Sequence, residues 1–238
     1  MDKLRVTIWN EYFHETEDTP AKEYYPRGMH EHLKQALAAE DLEIRTATLE
    51  QDAEHGLTED VLRWTDVLLW WGHCRHSWVR DDVAQRVAER VQQGMGFVPL
   101  HSAHQSKPFL RLMGTPCTLR WRNEEERCVI WNVSPNHPIA RGVPLHFGLA
   151  HEEMYGEYFF IPEPEELLFL SWFEGGNVFR GGCTFTRGLG RIFYFHPGHE
   201  TCPSYHNEHV LRIIGNAIRW AAPPEPREFR AGDEMERI

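Results

Sequence analysis

The first hundred residues alternate two kinds of segment, and no other feature of the chain constrains its fold as much. Leu4–Asn10 is a β-branched run that reads as a strand. Tyr24–Glu40 carries Leu33, Ala36 and Leu37 at helical spacing. Leu42–Leu49 and Asp66–Trp71 read as further strands, with a polar loop, Gln51–Leu57, between them. Val79–Gln93 places Val83, Val87 and Val91 four residues apart with charges between, an amphipathic helix that Gly94 stops. Phe97–Leu100 supplies a fourth strand. Strands alternating with helices call for a parallel, doubly wound sheet with right-handed crossovers. The near-continuous apolar runs Val6–Trp9, Val67–Trp71 and Phe97–Leu100 are expected to be parallel, central and buried on both faces.

The second half is less regular. Cys117–Arg122 and Cys128–Val133 read as short strands around a charged turn, Asn123–Arg127. Leu167–Phe173, Val178–Thr186 and Arg191–Phe195 are separated by Gly-rich turns and suggest hairpins. Glu208–Ala221 is a helix ended by Pro223-Pro224. The expected organisation is one domain over residues 1–222 and a polar, Pro-flanked tail over 223–238.

Charge and cysteine usage narrow the setting. A net charge of −11 argues against a nucleic-acid or anionic-membrane partner. No apolar run approaches the roughly 18 residues a membrane helix needs, and Met1–Arg5 leads into a strand without a signal-peptide core. The five cysteines are widely spaced and form no C-x-x-C, as suits free thiols in a cytoplasmic protein. Nine tryptophans and the C-terminal tail suggest a homo-oligomer.

The stretch Gly94–Lys107 carries the chemistry. A short apolar strand breaks into His101-Ser102-Ala103-His104 and then into a helical pattern at Phe109, Leu110 and Met113. That is the geometry of a nucleophile elbow, and ligands of open α/β sheets bind outside the carboxyl ends of the strands. Four histidine-bearing segments follow expected strands in this way: Asn10–Glu15, Gly72–His76, Leu100–His104 and His196–Glu200. Their convergence, with Glu153 joining from the second half, suits zinc or another divalent transition metal. No P-loop occurs, and Gly188-Leu189-Gly190 precedes a strand rather than a helix, so it is no dinucleotide fingerprint.

Several runs together resemble one family. Trp9-Asn10-Glu11 with His14, Trp70-Trp71-Gly72-His73, Leu100-His101-Ser102, His151–Glu157, Ser171–Gly176 and Pro197-Gly198-His199-Glu200 look like the trehalose-utilisation (ThuA-like) proteins, over residues 4–222. The resemblance implies an α/β fold of the class I glutamine amidotransferase type, a flavodoxin-like three-layer α/β/α sandwich with a mostly parallel central sheet. Amidotransferases have an elbow of the form C-x-G-H-Q and a later strand ending F-H-P-E. Here the elbow reads His101-Ser102-Ala103-His104-Gln105, and the late strand ends Phe195-His196-Pro197-Gly198-His199-Glu200. His101 stands where the nucleophilic cysteine would be, so thioester chemistry with glutamine is not supported. The family accompanies oxidoreductases in the use of trehalose and related disaccharides, which implies a sugar or keto-sugar substrate.

On these grounds His73, His101 and His199 are the expected metal ligands, with His101, Glu153 and His196 in catalysis. Glu11, His14, Trp71, His104 and Tyr155 are expected to bind substrate. Glu11, Glu153 and Glu200 are placed to orient the imidazoles. His101, in a strand-end loop, is expected to carry little core packing. A non-catalytic sugar-binding or regulatory module and a metal-free hydrolase using Ser102 are the alternatives.

Overall fold

The computed structural model describes residues 3–17 and 19–223, without the side chains of 123–125. The polar tail and its expected role in assembly lie outside the described residues. Nine strands form one sheet: β1 (Leu4–Asn10), β2 (Leu42–Thr48), β3 (Val67–Trp71), β4 (Gly96–Leu100), β5 (Arg120–Asn132), β6 (His146–Gly156), β7 (Glu166–Phe173), β8 (Val178–Arg187) and β9 (Gly190–Phe195). Their order is β2-β1-β3-β4-β9-β8-β7-β5-β6.

Strands β2, β1, β3, β4 and β9 run parallel, and β1, β3 and β4 lie side by side. The apolar runs of β3 and β4 are buried at every position, as strands covered on both faces require. The sheet is not mostly parallel, however. From β9 outward every pairing is antiparallel, with β5 between β7 and the edge strand β6. Short Gly-containing turns between β7, β8 and β9 leave no room for crossovers, which parallel pairing would need.

Helices cover the sheet. Helix α2 (Met29–Ala36) packs on β1 and β2, and α6 (Glu208–Ala221) on β4 and β9. Helices α3 (Glu59–Trp64), α4 (Asp81–Gln92) and α5 (Lys107–Met113) pack in sequence on one another, and α4 also reaches β9. The expected helix over Tyr24–Glu40 is shorter, reduced to α2, and a separate helix precedes it. Helix α1 (Pro20–Tyr24) ends before Gly28, whose φ of 91° no helix accommodates, and α2 starts after it. Helix α3 was not apparent from periodicity. Thr58 caps it by accepting from the Val61 N–H. The charged segment Asn123–Arg127 is not a turn but part of β5, which β6 pairs through two register shifts. None of the five cysteines is joined in a disulfide, and among the described residues no helix is long and apolar enough to cross a membrane.

Candidate functional site

Strands β1, β3, β4 and β9 end side by side, and their carboxyl-end loops build the site. His101 is the first residue after β4, with a φ of 51°. A left-handed conformation costs a non-glycine residue about 1–3 kcal/mol and is kept where the surroundings fix it. Here Tyr194 donates its hydroxyl to the His101 carbonyl at 3.0 Å. The elbow is therefore formed, but His101 is fully buried, contrary to the expectation of a loosely packed loop position. Ser102 contacts the Tyr155 hydroxyl at 2.7 Å, and no imidazole among the described residues is hydrogen-bonded to it, so a Ser–His nucleophile pair is not assembled.

One donor atom from each of His73, His101, Glu153 and His199 falls within 4.8 Å of the others. Each of the three imidazoles has its Nδ1 engaged elsewhere. His101 Nδ1 donates to the His196 carbonyl at 2.9 Å. His73 Nδ1 lies 3.3 Å from Glu200 Oε1 and 3.1 Å from His14 Nε2. His199 Nδ1 lies 2.7 Å from Thr201 Oγ1. Partners at Nδ1 fix the tautomer and ring plane and leave Nε2 for coordination. Nε2 of His101 and of His199 lies 3.1 Å and 3.9 Å from Glu153 Oε2, a buried oxygen that forms no aligned hydrogen bond. Three imidazoles and one orphaned carboxylate oxygen make a donor set that fits a zinc-class ion.

Charge couples the members of this cluster. Burial pushes Glu153 up, but His101, His199 and His73 outweigh it and hold the carboxyl below its usual range. Burial likewise opposes ionisation of Glu200, yet His73, His199 and His14 bring it down to about 2. Burial and the neighbouring His101 lower His199 to about 4, so its ring is neutral at physiological pH. His101 goes the other way: burial would lower it, but the Glu153 hydrogen bond and charge raise it above the ordinary imidazole value, so an ion binding there would have to displace its Nε2 proton.

A cavity of about 300 Å³ opens beside the cluster, lined by His73, His104, Glu153, Tyr155, His199 and Glu200 among others. His104, expected to bind substrate, faces it, with Nδ1 bonded to the Cys117 carbonyl at 2.7 Å. His14 sits just off the cavity, against His73 and Glu200. Three expected site residues have other work. Glu11 is buried and accepts backbone N–H groups of His73, Cys74 and Arg75 at 2.9, 3.1 and 2.9 Å, so it shapes the loop rather than meeting substrate. Trp71 is buried and donates Nε1–H to the Gly198 carbonyl at 2.9 Å. His196 is fully buried, with Nε2 3.1 Å from the Glu153 carbonyl and Nδ1 3.2 Å from the Ser171 hydroxyl, so neither nitrogen is free for proton transfer.

Other residues were not apparent from sequence. Glu152, fully buried, accepts the N–H groups of Glu153, Gly198 and His199 and the Ser204 hydroxyl at 2.6–3.1 Å. Burial raises its pKa, while four donors on two oxygens are the environment of a carboxylate. It pins the loop that carries His199. Trp121, largely exposed, stands at the cavity rim. It is the cross-strand partner of Tyr155, which puts both rings on one face. His76, Gln105 and Leu119 complete the wall. The sequence signals for His76 are its place in the Gly72–His76 run and its i, i+3 spacing from His73.

Comparison with known proteins agrees with this frame. A ThuA-like protein of Parabacteroides merdae superposes with a TM-score of 0.69 at 16% identity, over 96% of this chain and 93% of that one. A ThuA-like protein of Bacteroides uniformis gives 0.66 at 13% identity, over 92% and 91%. A glutamine amidotransferase of Thermotoga maritima gives 0.54 at 11% identity, over 93% and 99%. At such identities the likeness is one of fold. A comparison with curated proteins gives no match. The sequence profile described as trehalose utilisation covers residues 5–221, and the chain, with a histidine at its elbow and its sheet order in hand, belongs to the ThuA family.

Proposed function

We propose that this protein is a metal-dependent enzyme of sugar utilisation, acting on a disaccharide or its keto derivative. Its zinc-class divalent ion would be held by His73, His101, His199 and Glu153. The observation that supports this reading is the engagement of Nδ1 in all three imidazoles, with Nε2 of His101 and of His199 at 3.1 and 3.9 Å from a carboxylate oxygen that forms no aligned hydrogen bond. When bound, the ion supplies Lewis acidity at a carbonyl or a more acidic water. Glu153 is held ionised and lines the cavity, which suits it to complete the donor set of the ion. His196 steadies Glu153 from behind through its backbone carbonyl. Ser102 and Tyr155 hold each other's hydroxyls at the elbow, and Trp121 and Leu119 offer apolar surface to a sugar ring.

The test is metal analysis of protein purified without chelator, followed by turnover of a keto-disaccharide by the loaded protein. About one zinc-class equivalent per chain is expected, as for a single four-donor site. Protein that takes up no divalent metal under any condition overturns the metal assignment. A loaded protein that turns over neither disaccharides nor keto-disaccharides overturns the enzymatic one.

A further inference from the structure

We infer that Cys74, His14 and Glu11 form an outer stop that captures a zinc-class ion, which Glu200 then passes to the inner donor set. This rests on the reading of His73, His101, His199 and Glu153 as that inner set, but it concerns how the ion arrives. One donor atom from each of Glu11, His14 and Cys74 lies within 4.8 Å of the others, as does one from each of His14, His73 and Glu200. His14 is common to these two groups, and His73 is common to the second and the inner set. The donors therefore form a chain, and the chain runs inward: Cys74 is exposed, His14 and His73 are half-buried, and Glu200 and His199 are buried.

The outer stop is held ready by the backbone. Glu11 Oε2 accepts the N–H groups of His73 and Arg75, each at 2.9 Å, and Oε1 accepts that of Cys74 at 3.1 Å. The Cys74 thiol donates to the same Oε1 at 3.2 Å. An ion that takes the sulfur as thiolate sends this hydrogen to solvent and stands beside a carboxylate and an imidazole, ligands that a zinc-class ion accepts together. Glu200 spans the gap to the interior. Its Oε1 is 3.6 Å from His14 Nδ1, and its Oε2, buried and without a hydrogen bond, is 3.5 Å from His199 Nε2. One carboxylate thus has an oxygen at each end of the step. The outer stop offers three donors at the surface and the inner set offers four, mostly buried, so the ion moves inward and does not stay at the sulfur.

The experiment follows cobalt, whose absorption depends on its ligands, as it enters the metal-free full chain in a stopped-flow spectrophotometer. A sulfur-to-cobalt absorption is expected to rise first and then to decay as the ion reaches imidazole and carboxylate. The other four cysteines are buried, so the early signal reports Cys74. Cys74→Ser keeps a donor for Glu11 but removes the sulfur. It should abolish the transient and slow loading several-fold, with the final cobalt content unchanged. Cys74→His, which restores a ligand, should recover the loading rate without the sulfur absorption. Equal loading rates in Cys74→Ser and wild type overturn the proposal, as does a sulfur absorption that persists after loading is complete. Wild-type protein that takes up no cobalt at equilibrium overturns the inner set and this route with it, whereas full uptake with no sulfur transient overturns the route alone.

Discussion

Nδ1 of His101 donates to the carbonyl of His196, 2.9 Å away, across the ends of neighbouring strands β4 and β9. That bond decides which edge of the His101 ring faces the cavity. It also ties the elbow to the segment that continues into His199, so two of the proposed ligands are positioned by one strand pairing.

His73 offers the cleanest test of the metal group, because it is only partly buried whereas His101 is fully so. His73→Ala is expected to reduce bound zinc to a small fraction of the wild-type content. Its unfolding midpoint should move by no more than a few degrees, the usual consequence of losing about 1 kcal/mol. Atomic-emission analysis beside a thermal melt measures both. Zinc content equal to wild type removes His73 from the ligand set.

Glu152→Gln places an amide where four donors converge on a carboxylate. At least one donor then faces another donor, at a cost of about 1–3 kcal/mol. Urea unfolding should show that loss. Hydrogen exchange should quicken at the amides of Gly198 and His199. An unchanged urea midpoint would mean that the acid is not the strut of this loop.

Trp121→Ala should separate binding from stability. The side chain is 65% exposed, so the unfolding free energy is expected to stay within about 0.5 kcal/mol of wild type. Affinity for trehalose, read by calorimetry, should fall several-fold. A variant that binds as wild type does would assign the ring to no subsite.

Glu157 and Arg180 set a pH dependence away from the cavity. Burial raises the Glu157 pKa, but hydrogen bonds from Arg180 at 3.0 Å outweigh it and hold the carboxyl below its ordinary value of 4.5. A folded-state value below the unfolded one means that the pair stabilises the fold above about pH 4.5, with the benefit lost as pH falls through the lower folded value. Urea midpoints at pH 7 and pH 3 should therefore differ less in Glu157→Gln than in wild type. Equal pH sensitivity of the two proteins would show that the pair contributes nothing to acid unfolding.

The local sequence determined a good deal. The apolar runs at Val6–Trp9, Val67–Trp71 and Phe97–Leu100 named three neighbouring strands of the parallel half, because burial on both faces leaves a mark within each segment. The break after Leu100 marked the elbow. Histidines following strand ends marked the edge where His73, His101 and His199 meet, since parallel strands deliver their carboxyl ends to one side.

Tertiary structure decided which of two similar residues does which task. Glu152 and Glu153 are adjacent in sequence, yet one pins a backbone loop and the other faces imidazoles. Trp71 is sealed in the core, while Trp121 reaches the rim through its pairing with Tyr155. The antiparallel half and the bulged β5 likewise depend on register and on partners distant in the chain. A strand run or a helix stop is written in neighbouring residues. The free edge of an imidazole is set by whichever carbonyl or carboxylate the fold brings to its other nitrogen.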